Sequence, residues 1–419
     1  MFKKSSISQL DYGLDIRHSL VGAQMFFVAF GALVLVPLLT GMSSSVAMLT
    51  AGVGTLIFQL ITRGKVPIFL GSSFAFIAPI IHGTQIWGLP GTLCGLAATG
   101  FVYIGLGLLV RYQGPAVIQR FLPPIVTGPV IMVIGLSLAP VAIRMATGTD
   151  AVNGVTLEYA DTIIISMGAL VATISASLLG RGLIRLIPIL FGIAVGYSIS
   201  LYYGIIDFSI IANAPWLAVP HFTFMEWNLD AIFFIVPVAI APIIEHVGNV
   251  VAIGSITGRD YVKSPGLDKT LIGDGFSIMF ASSVGGPPNT TYSEVSGGIA
   301  LTRAFNPGVL TWAALSAICL AFVGKLSAFL GSIPPQVMGG IMILLFGAIV
   351  VVGMNTLVRA GEDLMQSRNL AIIAVVLVFG LGGMEFAAGS FSMKGIGLAG
   401  LTGLILNLIL PNPDRDRGY

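Results

Sequence analysis

The sequence predicts an all-α polytopic membrane protein of about fourteen transmembrane segments. They form two inverted seven-segment repeats, with short broken or extended pieces in segments 3 and 10. Three observations predict this. Only 9% of the 419 residues are charged and 56% are hydrophobic, whereas a soluble domain carries roughly 25% charged residues. The apolar residues fall in long stretches free of Asp, Glu, Lys and Arg, too long and too continuous for the alternating strands of a β-barrel. A Pro-Pro motif recurs half a chain apart.

Residues 18–62 and 66–110 each run about 45 residues without a formal charge, enough for two helices of roughly 20 residues apiece. Further charge-poor stretches lie at 121–143, 162–180, 186–206, 231–258, 275–293, 304–324, 326–358, 369–384 and 395–413. A short broken segment at 290–302 completes the count. With a cytoplasmic N-terminus and alternating loops, 17 of the 20 Lys and Arg residues fall inside, all but Arg144, Lys325 and Lys394. That asymmetry places both termini in the cytoplasm. The outer loop 204–229 has Asp207 and Glu226 but no Lys or Arg, and Trp216, Phe222, Phe224 and Trp227 suit an interface.

Cys94 and Cys319 both sit within spans, which argues against a disulfide framework or a thiolate metal site. The net charge of +2 belongs to the inside loops and does not suggest nucleic acid as a partner. No P-loop, HExxH or GxSxG occurs, so neither ATP-driven transport nor a familiar enzyme is expected, and no cofactor or metal. The Asn289-Thr290-Thr291 sequon falls in the broken segment and reads as accidental, and the Gly91/Gly95 pair reads as ordinary helix packing.

FLPPIVTGPVIMVIG at 121–135 and SIPPQVMGGIMILLF at 332–346 align Pro123, Pro124, Val126 and Gly128 with Pro334, Pro335, Val337 and Gly339, at an offset of 211. These copies open spans five and twelve, and an odd separation means opposite orientation, the plan of many secondary transporters. At an offset of 221, VPIFLGSSFAFIAPI (66–80) aligns with PPNTTYSEVSGGIAL (287–301), which sets Ser73 opposite Glu294. Pro67 and Pro79 in one, and Pro287, Pro288, Gly297 and Gly298 in the other, deny either an unbroken helix. Non-helical backbone at membrane depth survives only inside protein or beside a wet cavity. Two half-helix N-termini facing one point suit carbonyl or anionic ligand atoms.

Glu245, in VPVAIAPIIEHVGNVVAIG (236–254), joins Glu294 as an intramembrane carboxylate. A charge at mid-bilayer costs on the order of 2.5–3.5 kcal/mol, which makes such a residue a functional candidate. Adjacent His246 points about 100° away on a helix and reads as structural, while Asn249 shares the face of Glu245. Desolvation disfavours an ionised carboxylate, and a group that gains and loses its proton as its surroundings dry and wet is what proton coupling needs.

At VPIFLGSSFAFIAP, IIEHVGNV, GGPPNTTYSE, GIALTR and IPPQVMGG the chain resembles the nucleobase–ascorbate transporter family, and within it the bacterial uracil:proton symporters. The similarity runs from about residue 17 to 411. It implies a core domain (1–112 and 229–332) and a gate domain (113–228 and 333–419), antiparallel strands meeting in segments 3 and 10, and homodimers formed through the gate. It further implies import of uracil or a close pyrimidine with protons by alternating access. The substrate would be held at Ser73, Phe74, Glu245, Ser293 and Glu294, with Tyr292 and Phe346 packing on its ring. Glu245, Glu294 and the Asn249 position would serve proton coupling. The chain departs from the uracil carriers at Met25, Asn249, Ser293, Val295 and Phe346, where those have His, His, Gly, Asn and Tyr. A xanthine or other purine symporter is the alternative, followed by an anion transporter of the same plan.

Overall fold

A computed structural model describes residues 11–149, 155–388 and 391–411. Lys3, Lys4, Arg415 and Arg417, which enter the orientation count, lie outside the described residues. Seven helices among those described are long and apolar enough to cross a membrane, and four shorter apolar helices accompany them. The expected fourteen is reached only with three further steps. The long helix at Phe74–Gln113 must be divided where Gly88 takes φ 68, and the helix Leu267–Ser283 and the broken segment after Asn289 must be counted.

The first half contains α1 (Ser19–Thr40), α2 (Ser44–Ile61), β1 (Leu70–Ser72), and a 3-10 turn at Phe74–Phe76 that runs into α3 (Ile77–Gln113). The short α4 (Ala116–Phe121) follows, then α5 (Pro124–Thr147), α6 (Tyr159–Leu179), α7 (Leu183–Leu186) and α8 (Pro188–Tyr202). The outer loop holds α9 (Phe208–Asn213). The second half repeats this order: α10 (Leu229–Ile235) continuing through a 3-10 turn into α11 (Ile240–Thr257), α12 (Leu267–Ser283), β2 (Asn289–Thr291), α13 (Ser293–Thr302), α14 (Gly308–Ala321), the short α15 (Gly324–Gly331), α16 (Pro335–Ala360), α17 (Ser367–Leu381), a hairpin of β3 (Glu385–Ala388) and β4 (Phe391–Lys394), and α18 (Gly395–Ile409). The Pro-Pro motifs work as the repeat requires. In each, the first proline is the N-cap, extended at ψ 161 or ψ 143, and Pro124 or Pro335 opens the helix, where its missing N–H costs nothing.

β1 and β2 pair antiparallel, Leu70 with Thr291 and Ser72 with Asn289. Equivalent elements of the two halves therefore run in opposite directions. The contact is reciprocal: the Ser73 amide donates to the Pro288 carbonyl (2.9 Å) and the Tyr292 amide to the Phe69 carbonyl (3.1 Å). Ser73 and Tyr292 are the N-caps of the helices that follow, so they are the true equivalents. This corrects the sequence alignment by two residues: Ser73 matches Tyr292, and Glu294 matches Ala75. An even slip leaves every side chain on the same strand face, so residue identity alone does not reveal it.

The helices pack in two groups. α1, α2, α3, α12 and α14 pack on one another, with α10 against α3, and α13 against α1 and α11. α5, α6, α8, α16, α17 and α18 form the other group, centred on α5 against α16. Small residues allow that central contact: a Cβ at Gly353 would meet the Gly128 carbonyl, and one at Gly135 the Phe346 carbonyl. In the outer loop Trp216, Phe224 and Trp227 are exposed, and Lys325 lies 5.4 Å over the Trp216 ring while donating to the Ile211 and Ala212 carbonyls.

Candidate substrate site

The strand crossing is held by side chains from the helices around it. The Leu70 amide donates to Thr55 Oγ1 on α2 (2.9 Å). Asn249 Nδ2 donates to the Thr291 carbonyl (2.8 Å) and to Thr291 Oγ1 (3.0 Å), and Asn289 Nδ2 donates to the Thr50 carbonyl and Ser277 Oγ (both 2.9 Å). Tyr292 places its hydroxyl on the Ser72 carbonyl (2.8 Å), tying β2 to β1 a second time. These bonds replace what a helix would have satisfied internally, so irregular backbone is tolerated here.

A cavity of about 530 Å³ opens beside the crossing. Its deep end is lined by Phe74 and Ala75 from the first half and by Ser293 and Glu294 from the second, the first two residues of each half-helix. The first-turn N–H groups of a helix lack intrahelical acceptors, so this end offers donors from two directions. Glu245, Gly248 and Asn249 line the wall from α11. Gly248 is bare, with no atom within 4 Å of where its Cβ would stand, so space beside Glu245 is open. Ile131, Ile134, Leu345 and Ile349, from α5 and α16, close the opposite side, and Ile118, Leu122 and Thr356 line the way out.

The sequence-expected residues divide accordingly. Phe74, Glu245, Asn249, Ser293 and Glu294 share the cavity; Ser73, Tyr292 and Phe346 do not line it. Ser73 is buried as an N-cap, its hydroxyl unpartnered among the described residues. Tyr292 stacks behind Phe74, ring centroids 6.4 Å apart at 13°, and so backs the ring that faces the cavity. Phe346 is buried in the α5–α16 packing. Phe74 is thus the one of the three aromatic candidates in the cavity lining, with Tyr292 behind it and Phe346 in the helix packing. Asn249 holds β2 through its two bonds to Thr291, and its amide does not titrate. Met25 and Val295 are both buried in the apolar core.

Sequence reading missed Asp274, in the middle of α12. It is fully buried, with Oδ2 2.7 Å from His246 Nδ1, and His246 Nε2 is 3.0 Å from Thr270 Oγ1. The Thr270 hydroxyl also lies 3.0 Å from the Leu267 carbonyl. Each of the two buried groups has the other as its partner, and a low-dielectric interior tolerates the pair where it would not tolerate either alone. The structural reading of His246 agrees with this placement. The available signal was Thr270 and Asp274 at i and i+4, one face of α12.

The Permease family model (Xan_ur_permease) matches residues 17–389. The chain belongs to the nucleobase–ascorbate transporter family. Within that family it is 53% identical over 401 residues to a probable uracil permease of Haemophilus influenzae, covering 96% of each chain. It is 42% identical to the uracil permease of Bacillus caldolyticus, covering 93% of this chain and 90% of that one. The fold extends beyond the nucleobase–ascorbate transporters. The transmembrane domain of the cyanobacterial bicarbonate transporter BicA superposes at a TM-score of 0.63 with 15% identity, over 94% of this chain and 97% of that one.

Proposed function

We propose that this integral membrane protein imports uracil, or a close pyrimidine, together with protons by alternating access. The observation that carries the reading is the deep end of the cavity. A carboxylate, Glu245, faces the first turns of two half-helices there. A pyrimidine nucleobase presents ring N–H groups and carbonyl oxygens along its edges. Glu245 accepts from the ring N–H, the backbone N–H groups at Phe74 and Ser293 serve the carbonyls, and Phe74 packs on the ring face. Glu294 orders the first turn of α13 and reaches the same space. The uracil permease relatives support the substrate class.

The two packing groups correspond to a core (1–112 and 229–332) that carries the site and a gate (113–228 and 333–419) that closes against it, with homodimers formed through the gate. With both termini cytoplasmic in the inner membrane, Arg111, Arg120 and Arg359 mark the cytoplasmic side. The cavity, which leaves the site past Ile118, Leu122 and Thr356, then opens inward.

The test is uptake of labelled uracil into proteoliposomes under an imposed pH gradient, with unlabelled uracil, xanthine and guanine as competitors. Uracil is expected to compete best, and Glu245→Gln to abolish gradient-driven uptake. Uptake and pH dependence unchanged in Glu245→Gln would sink the assignment, and preferential competition by xanthine would move it to the purine carriers.

A further inference from the structure

Glu294 faces two spaces. Besides the main cavity it lines a narrower crevice of about 210 Å³ between α1, α13 and the segment joining α7 to α8. Along α13 the crevice follows Glu294, Gly297, Gly298 and Leu301, spaced i, i+3, i+4 and i+7 and therefore on one face. That is about 10 Å of helix at 1.5 Å per residue, leading from the carboxylate toward the end at which Arg303 follows α13. Arg185 stands in the lining, beside the start of α8. Gly297 lines this crevice and not the main cavity, and a Cβ placed on it would meet no atom within 4 Å.

We propose that this crevice is the proton's route between Glu294 and the cytoplasm, separate from the route the nucleobase takes through the main cavity. The inference rests on the proton-coupled reading above. Two exits solve a definite problem: while the nucleobase fills the main cavity it shields Glu294 from bulk water on that side, yet the coupling proton must still leave. A second opening lets the proton depart with substrate in place. The groups that bear on Glu294 are few. Glu245 faces it from α11 and its own neighbour Ser293 donates to it at 3.4 Å. Tyr292 adjoins it in β2–α13, and Arg185 shares the crevice from α7, while α1 contributes Phe27, Val28 and Gly31, none of them titratable. No other ionisable side chain lines either space among the described residues. The volume admits several waters at roughly 30 Å³ each, with the Glu294 carboxylate and the Arg185 guanidinium as polar partners.

Two measurements test the route. In the Cys94→Ala/Cys319→Ala background, Gly297→Cys and Gly248→Cys are labelled from the cytoplasmic side with a membrane-impermeant thiol reagent, with and without saturating uracil. Uracil is expected to protect Gly248→Cys, which lines the main cavity, and to leave Gly297→Cys labelled. Equal protection at both positions, or labelling of Gly297→Cys only by a lipid-soluble reagent, overturns the route. In proteoliposomes, Gly297→Leu fills the crevice, with Gly297→Ala as a milder variant. Gradient-driven accumulation is expected to fall by about tenfold in Gly297→Leu, as when a release step becomes limiting, while exchange of labelled for unlabelled uracil at equal pH persists. Exchange falling in parallel, or accumulation unchanged, overturns the inference and leaves proton coupling intact. Wild-type uptake indifferent to the gradient overturns the coupling itself, and the route with it.

Discussion

A carboxylate inside a membrane protein is defined by the hydrogen bonds it finds, and Glu245, Asp274 and Glu294 find different ones. Asp274 is matched to His246 and sealed from both cavities, whereas Glu245 and Glu294 face open space. The three acids thus sit on three neighbouring helices, α11, α12 and α13, and are told apart by their partners. Asp274→Leu strands a buried histidine, and breaking such a pair by removing one member costs about 3–5 kcal/mol. We expect a clear drop in the thermal unfolding temperature in detergent. Substituting His246→Leu as well should recover part of the loss, because no polar group is then left unmatched. An undiminished unfolding temperature in the single variant would show that the pair carries no structural weight.

At the scale of elements, the three-residue strands are too short to persist alone, and their position depends on bonds from outside the ladder. Asn249 from α11 and the Tyr292 hydroxyl supply them. Tyr292→Phe removes the bond to the Ser72 carbonyl, worth about 0.5–1.5 kcal/mol. It should raise the KM for uptake several-fold while the pH profile keeps its shape. Such a split separates a positioning residue from one that handles protons; a displaced pH profile would contradict it. The relation between the half-helices follows from the same crossing, since each strand leads into its helix through one N-cap residue, Ser73 or Tyr292.

Across the whole molecule, the cavity lies where two helix groups meet, so its shape depends on how closely the helices within each group pack. α5 and α16 are the spine of one group, and their backbones approach closely at Gly128, Gly135 and Gly353. In Gly353→Val the new Cβ would stand 2.6 Å from the Gly128 carbonyl, and overpacking of this kind costs about 1–3 kcal/mol. We expect lower stability and reduced transport together, measured by thermal unfolding in detergent and uracil uptake. Normal stability would mean that the two helices part without penalty.

What the sequence determined by itself was set by solvent and by local backbone chemistry. Scarcity of charge fixed the membrane setting, charge-free stretches located the helices, and proline and glycine placed the breaks in segments 3 and 10. Glu245 and Glu294 stood out because an unpaired acid in an apolar run has few structural reasons to be there. The tertiary structure decided which residues meet. Phe74 faces the cavity while Tyr292 backs it and Phe346 lies in the helix packing, distinctions that residue type does not carry. Asp274 escaped notice because its partner is 28 positions away on another helix. The two-residue slip between the repeats became visible only when Ser73 and Tyr292 were seen to donate across the same crossing. Burial in lipid acts on each residue separately and can be read along a chain; pairing and cavity lining depend on side chains that only the folded helices bring together.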